Sequence, residues 1–267
     1  ALDGFPSENI IIVNQSDKIG RLRFLGNSFR RFAMVRKHKF VSASSLGYIP
    51  TEYIGQIISA FDLDYSEVKQ RYNEIKNKLT YAKEIVVKTE AGTNIKFDVS
   101  GRNPISNDGD YVKPGTGGNL PAGEVYIPPV EDKTNGVIVI DASSRNLQKT
   151  ELIREPIKLK IENGKVVKIE GGVEANLLKE SLIHAKAKAR FPERINVVSE
   201  LGIGLNPHAK IIGATIIDEK VLGTAHIAIG SNYWFGGKNK TIIHLDQVFK
   251  KPRIYVDGEL LKISNYY

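Results

Sequence analysis

The sequence predicts an α+β protein, with a helical or shortened α/β part at its N-terminal end and a β-rich part after it. Three observations carry this. Apolar residues recur at spacings of three and four between residues 51 and 82; from residue 83 the spacing changes to two; and turn pairs such as Asn163-Gly164 and Asp257-Gly258 separate the short apolar runs that follow. The switch of period sets the expected boundary, giving an N-terminal part over 1–82 and a β-rich metal-binding domain over 83–267.

Taken in order, Ile10 to Val13 is a short apolar run that reads as a strand, while residues 21–34 are basic and poorly periodic. Residues 44–50 read as a turn. Thr51 and Glu52 open a helix carrying Tyr53, Ile54, Ile57, Ile58 and Phe61, since a threonine oxygen can accept from the free N–H groups of a first turn. Residues 65–82 place Val68, Tyr72, Ile75 and Leu79 on one stripe with Lys and Glu between them, the pattern of a helix with one packed face. Ile85 and Val87, then Ile95, Phe97 and Val99, flank the turn Glu90-Ala91-Gly92-Thr93 and form a hairpin. Residues 103–123 make a long loop rich in Gly, Asn, Asp and Pro. Its glycine run leads into Asn119-Leu120-Pro121 and not into Gly-Lys-Ser/Thr at a helix start, which excludes a phosphate-cradling loop. The loop delivers Glu124 to the extended run Val125-Tyr126-Ile127. Beyond it we expect a strand at 137–140, a hairpin of 157–161 with 166–169 across Asn163-Gly164, and a helix at 174–189. Strands follow at 197–199 and 211–214, then a turn at Asp218-Glu219-Lys220, strands at 224–229 and 241–245, and a closing pair at 253–256 and 259–263. No solenoid-type repeat occurs.

A chain of 267 residues with 41% hydrophobic side chains can bury a substantial core. No apolar run reaches eighteen residues, and the start ALDGFPSENIIIV lacks the basic opening and long apolar middle of a secretory signal, so the expected location is the cytoplasm with no membrane contact. The absence of cysteine excludes disulfides, zinc ribbons and a thiol nucleophile, and leaves His, Asp and Glu to hold any metal. A net charge of +8 raises nucleic acid as a partner. The strongest local case is the cluster Arg21, Arg23, Arg30, Arg31, Arg36, Lys37 and Lys39, interleaved with Phe24, Phe29, Phe32 and Phe40. A solvated face with a buried apolar side explains the same residues.

The chemistry gathers between residues 197 and 248. His244 and Asp246 are two apart, so on a strand they share a face and can reach one cation or flank a pair. His226 interrupts the near-apolar run Gly223-Thr224-Ala225-His226-Ile227-Ala228-Ile229-Gly230. Taken alone it is equally a core histidine bonded to a carbonyl. Glu200 ends an apolar strand at a glycine loop, and Glu124 lies between Ala122-Gly123 and Val125-Tyr126; each is either a strand-end carboxylate facing water or a buried one that must be paired or metal-bound. Three acids and two imidazoles are the donors a two-metal hydrolytic site needs, with ions about 3.5–4 Å apart. Their wide spacing in sequence is compatible with such a site without establishing it.

Asn119-Leu120-Pro121-Ala122-Gly123-Glu124-Val125-Tyr126, Ser199-Glu200-Leu201-Gly202-Ile203-Gly204-Leu205-Asn206-Pro207, Asp218-Glu219-Lys220 with the run from Gly223 to Gly230, and Gly236-Gly237-Lys238-Asn239 with His244-Leu245-Asp246 together resemble the aminopeptidase T-like (leucyl aminopeptidase) metallopeptidases. The likeness extends upstream through Ser100-Gly101-Arg102 and Asp64-Tyr65, over roughly residues 41–260. It implies that Glu124, Glu200, His226, His244 and Asp246 are metal ligands for two divalent ions, zinc or cobalt, and that Tyr233 is an active-site tyrosine whose phenol donates to an oxyanion. It also implies a homodimer acting on short peptides. Glu219 and Lys220 match a motif too, although a turn-forming or loop-anchoring role explains them equally well. Two departures stand out: the N-terminal part is shorter than the family's, and Trp234-Phe235 follows the tyrosine where more polar residues are common.

The resulting expectation is a metallo-aminopeptidase that removes N-terminal residues from short peptides with a metal-activated water. The alternative is a non-catalytic or nucleic-acid-associated binding protein that uses the basic cluster of residues 21–39.

Overall fold

The computed structural model describes residues 6–13, 32–43, 46 and 49–263. Arg21, Arg23, Arg30 and Arg31 of the basic cluster, with Phe24 and Phe29, lie outside the described residues, as do Ser44, Ser45, Gly47 and Tyr48 of the expected turn.

The chain opens with strands β1 (Ile10–Val13) and β2 (Lys39–Ser42), then helices α1 (Ile54–Phe61) and α2 (Tyr65–Thr80). Strands β3 (Glu84–Lys88) and β4 (Asn94–Asp98) form the expected hairpin. The long loop contains two short strands that the sequence does not announce, β5 (Ile105–Asn107) and β6 (Gly117–Asn119), before β7 (Glu124–Ile127). Next come β8 (Asn135–Ile140), β9 (Ser143–Arg145), β10 (Thr150–Leu152), the hairpin β11 (Ile157–Glu162) with β12 (Lys165–Glu170), and helix α3 (Val173–Lys188). The C-terminal stretch holds β13 (Val198–Gly204), α4 (Thr215–Asp218), β14 (Thr224–Gly230), β15 (His244–Lys250), β16 (Arg253–Val256) and β17 (Glu259–Leu260). The fold is α+β.

Two seven-stranded antiparallel sheets dominate, one in the order β12-β11-β8-β4-β3-β16-β17 and the other β10-β9-β15-β14-β13-β7-β5; a small parallel sheet joins β1, β2 and β6. In the first sheet the alternation is clean: Ile157, Leu159 and Ile161 of β11 are buried while Lys158, Lys160 and Glu162 face water. In the second, every residue of β13 and β14 is buried, because both faces are covered. One face, with Leu201, Ile203, Ala225, Ile227, Ile229, Leu245 and Phe249, merges with the inner face of the first sheet into a single apolar core. Helix α2 adds Val68, Tyr72, Ile75 and Leu79 to that core, and α3 adds Ala175, Leu178, Leu182 and Ala185. Asp64 starts α2 by accepting from the N–H groups of Ser66 and Glu67, which satisfies two donors no helical carbonyl can reach.

Three expectations need correction. Residues 211–214 are not a strand: the Ile212 N–H donates to Asp218 Oδ1 at 2.8 Å, so the buried carboxylate ties the segment into a bend before α4. The strand expected at 241–245 begins only at His244 and runs to Lys250. The strand expected at 197–199 continues to Gly204, which places Glu200 within it and not at its end.

Candidate metal centre

The other face of the second sheet carries the polar residues. Strands β15, β14, β13 and β7 lie side by side, and they contribute His244 and Asp246, His226, Glu200, and Glu124 respectively. Register brings them together. Glu200 stands opposite Ala228, which stands opposite Asp246; His226 stands opposite Gly202, and Glu124 opposite Gly204. Alanine and glycine between the donors leave room for the larger side chains to lean toward one another. A bulge makes this arrangement: Val198 pairs with Ile229 but Glu200 pairs with Ala228, so Ser199 is an extra residue on β13. In an unbroken strand Val198 and Glu200 would share a face. The bulge lets Val198 enter the apolar core while Glu200 joins the polar face.

The donors meet. Three overlapping groups, Glu124 with Glu200 and His226, Glu200 with His244 and Asp246, and Glu219 with His226 and Asp246, each bring their ligand atoms within 4.8 Å of one another. His226 Nε2 lies 3.2 Å from Glu200 Oε1 and 3.5 Å from Glu124 Oε2. His244 Nε2 lies 3.3 Å from Asp246 Oδ1 and 3.5 Å from Glu200 Oε2, while its Nδ1 is 2.8 Å from the Ser231 carbonyl. That carbonyl can only accept, so Nδ1 carries a proton and Nε2 is the nitrogen turned into the cluster, the one a metal ion would take in place of a proton. Glu124 Oε2 is buried with no hydrogen-bond partner among the described residues.

Electrostatics agree with that geometry. Burial alone would lower the proton affinity of both imidazoles, yet the carboxylates outweigh it. Glu200 and Glu124 push His226 up to about 9, and Asp246 and Glu200 push His244 up to about 10. Lys220, completely buried, donates to both Glu124 and Glu219 and offsets part of the carboxylate charge. The excess of negative charge around two inward-facing imidazoles is the balance a divalent cation corrects, so these residues fit a metal ion.

Glu219 and Lys220 belong to the cluster, a role the sequence leaves tied with turn formation. Their signal is faint: an acid-base pair set between Ile216-Ile217 and Val221-Leu222, where an exposed turn would be more polar. Tyr233 stays apart from the other predicted residues. It is 53% exposed, lies beneath the Lys240 ammonium at 5.2 Å, and does not line the cavity. Its neighbour Trp234 does, with its ring centroid 4.8 Å from that of His244.

The cavity has a volume of about 950 Å³. Glu124, Glu200, Glu219, His244 and Asp246 form its floor, and His226 is fully buried beneath them. Gly202 is required for that placement, because a β-carbon there would lie 2.1 Å from the His226 ring. We expect Gly202→Ala to leave the fold intact but to displace His226 and weaken metal binding about tenfold or more. Metal titration by calorimetry checks this, and unchanged affinity would refute it.

The family model described as NicX, 2,5-dihydroxypyridine 5,6-dioxygenase, matches residues 62–263, more than half of the chain and every residue of the cluster. The chain belongs to this family. A curated NicX relative, the 2,5-dihydroxypyridine 5,6-dioxygenase of Pseudomonas putida KT2440, is 27% identical over 205 residues. The match covers 73% of this chain and 57% of the relative, so the chain spans little more than half the length of that protein. A solved structure of the 2,5-dihydroxypyridine dioxygenase from P. putida KT2440 superposes with a TM-score of 0.71 at 24% identity, covering 86% of this chain and 65% of that one. AmpT from Thermus thermophilus superposes with a TM-score of 0.65 at 14% identity, covering 96% and 74%. These two likenesses carry the fold alone.

NicX membership overturns the expected peptidase. The resemblance to aminopeptidase T survives as a shared fold, but the family that matches in sequence is one of dioxygenases and not of peptide hydrolases. It also gives no support to the nucleic-acid alternative. The described part of that basic cluster is engaged locally, with Arg36 over the Phe32 ring at 5.6 Å and Lys37 4.0 Å from Glu8. No described helix is long and apolar enough to cross a membrane.

Proposed function

We propose that this chain catalyses the oxygen-dependent opening of a hydroxylated pyridine ring at one ferrous ion held by Glu200, His244 and Asp246, with His226 braced against Glu200. The observation that carries the reading is the meeting of two imidazoles with carboxylates at the floor of a cavity, in a chain of a dioxygenase family. Imidazole with carboxylate and open positions is a donor set suited to non-haem ferrous iron. When bound, such an ion supplies the electrons that make dioxygen reactive and a place for a ring oxygen. One ion, in place of the expected pair of zinc or cobalt ions, matches the charge: Lys220 already offsets part of the carboxylate charge, and a second divalent cation would leave the cluster positive.

The chain's own residues do the positioning. Trp234, half-buried on the cavity wall against His244, offers a planar ring a flat apolar surface. Phe235 and Tyr126 pack edge to face behind it, with ring centroids 5.4 Å apart, and keep that wall rigid. An aromatic wall of this kind suits a flat heterocycle better than an extended peptide.

Trp234 is the only tryptophan, so its emission reports on this site directly. We expect quenching as ferrous iron is added under anaerobic conditions, reversed by a chelator. Protein so loaded is expected to consume one dioxygen per molecule of 2,5-dihydroxypyridine and to leave leucyl-p-nitroanilide intact. Bound iron reported by Trp234 with no oxygen uptake, or chelator-sensitive release of p-nitroaniline, would overturn the reading.

A further inference from the structure

Two motifs of the sequence have no part in the donor set, Ser100-Gly101-Arg102 and Gly236-Gly237-Lys238-Asn239, and the fold brings them into contact. The second belongs to the loop of residues 231–239 between β14 and β15. This loop gives the site two things: the Trp234 ring on the cavity wall, and the Ser231 carbonyl that holds His244 Nδ1 at 2.8 Å. Fully buried Asn232 is its hub. The Asn232 N–H donates to the Asn239 carbonyl at 3.0 Å, its Oδ1 accepts from the Asn239 N–H at 2.8 Å, and its carbonyl accepts from the N–H groups of Phe235 and Gly237. A β-carbon at Gly237 would lie 1.9 Å from the Asn232 side chain, so the turn closes only around glycine.

An ion pair fastens the loop from outside. Arg102 follows β4 and Glu131 lies between β7 and β8, both far from the loop in sequence. Arg102, 9% exposed, donates through Nη1 to the Gly236 carbonyl at 2.9 Å and through Nη2 to Glu131 Oε2 at 2.5 Å. Glu131 Oε1 accepts from Asn232 Nδ2 at 3.2 Å and from the Lys238 N–H at 2.5 Å. The pair therefore grips the loop at Asn232, Gly236 and Lys238, on both sides of Trp234. Burial would raise the Glu131 carboxyl, but the Lys238 N–H and the Arg102 charge outweigh it and hold it below the usual carboxylate range. A guanidinium suits the task, since its forked donors serve a carbonyl and a carboxylate at once.

We propose that Arg102 and Glu131 are positioning residues, a buried ion pair that fixes the loop of residues 231–239 so that Trp234 faces the cavity and the Ser231 carbonyl holds His244 toward the metal. The proposal rests on the metal-dependent reading above and extends it to residues that touch neither metal nor substrate. Neither residue lines the cavity, so an effect on the site must pass through the loop. An ion pair that served stability alone could be exchanged for apolar side chains of similar length without consequence at the site, because such exchanges are often neutral or stabilising.

That exchange is the test. The double variant Arg102→Met with Glu131→Met is compared with the wild type by acrylamide quenching of Trp234, the only tryptophan, in the metal-free protein, and by calorimetric titration with zinc. We expect quenching to become about twofold easier and zinc affinity to fall about tenfold, the scale of losing an outer partner of a metal ligand. Leu79→Ala, a core truncation on α2 with no bond to the loop, is expected to lower the melting temperature while keeping wild-type quenching and zinc affinity. A wild-type value of either quantity in the double variant, or the same losses in Leu79→Ala, would overturn the proposal. Iron-loaded wild-type protein that takes up no oxygen would instead remove the ring-opening reading and leave these differences in place, so the two fail separately.

Discussion

Replacing Glu200 by Gln is expected to empty the metal site and to lower turnover by about two to three orders of magnitude. Glu200 belongs to two of the three ligand groups, and its two oxygens face different imidazoles, Oε1 toward His226 and Oε2 toward His244. Asp246 is grouped with both histidines as well, but Glu200 has a carboxylate oxygen within 3.5 Å of each. Glutamine keeps the shape but removes the charge and puts an N–H donor where a lone pair is needed, while losing even an outer partner of a metal ligand typically costs 10–100-fold. The measurement is bound metal by mass spectrometry beside oxygen uptake with 2,5-dihydroxypyridine. A variant that retains stoichiometric metal would show that Glu200 is not a ligand.

Lys220→Met is expected to destabilise the fold more than any other single change at the site. The lysine is completely buried, and burial alone would pull its ammonium down; the charges of Glu124 and Glu219 and their hydrogen bonds outweigh this and hold it above the usual lysine range. Removing the cation leaves two carboxylates facing each other without compensation, a change that costs about 3–5 kcal/mol for a buried pair. In a chain of this size that corresponds to a drop of roughly 6–20 °C in melting temperature. The double variant Lys220→Met with Glu219→Gln should recover part of the loss, since one of the stranded charges is gone. Calorimetric melts of the metal-free protein decide the matter, and a drop of less than 2 °C would mean that the three groups are not charged together in the interior.

Much of the fold was legible locally. The stripe Val68, Tyr72, Ile75 and Leu79 became the buried face of α2, and Ile157, Leu159 and Ile161 became the inner face of β11 across the expected Asn163-Gly164 turn. Where local reading went astray, a tertiary contact had taken over. Residues 211–214 have the composition of a strand, but Asp218 binds the Ile212 N–H and no neighbouring strand does. Tyr233 and Trp234 are adjacent, and nothing in the sequence tells which of them turns toward the cavity; the 3₁₀ turn of Tyr233 to Phe235 sends the indole inward and leaves the phenol 53% exposed.

By itself the sequence determined an α+β chain and a donor set restricted to His, Asp and Glu, and it singled out Glu124, Glu200, His226, His244 and Asp246 within it. Periodicity and turn chemistry are properties of neighbours along the chain, so they survive in a string of letters. The tertiary structure decided which donors meet, added Glu219 and Lys220, and set Trp234 on the cavity wall. Those outcomes depend on cross-strand register and on one bulge at Ser199, which couple residues far apart in the chain. The choice between opening a ring with oxygen and cleaving a peptide with water lay beyond both periodicity and donor type, because the same imidazoles and carboxylates serve either reaction; the kinship of the whole domain turned the reading from hydrolysis to oxygen chemistry.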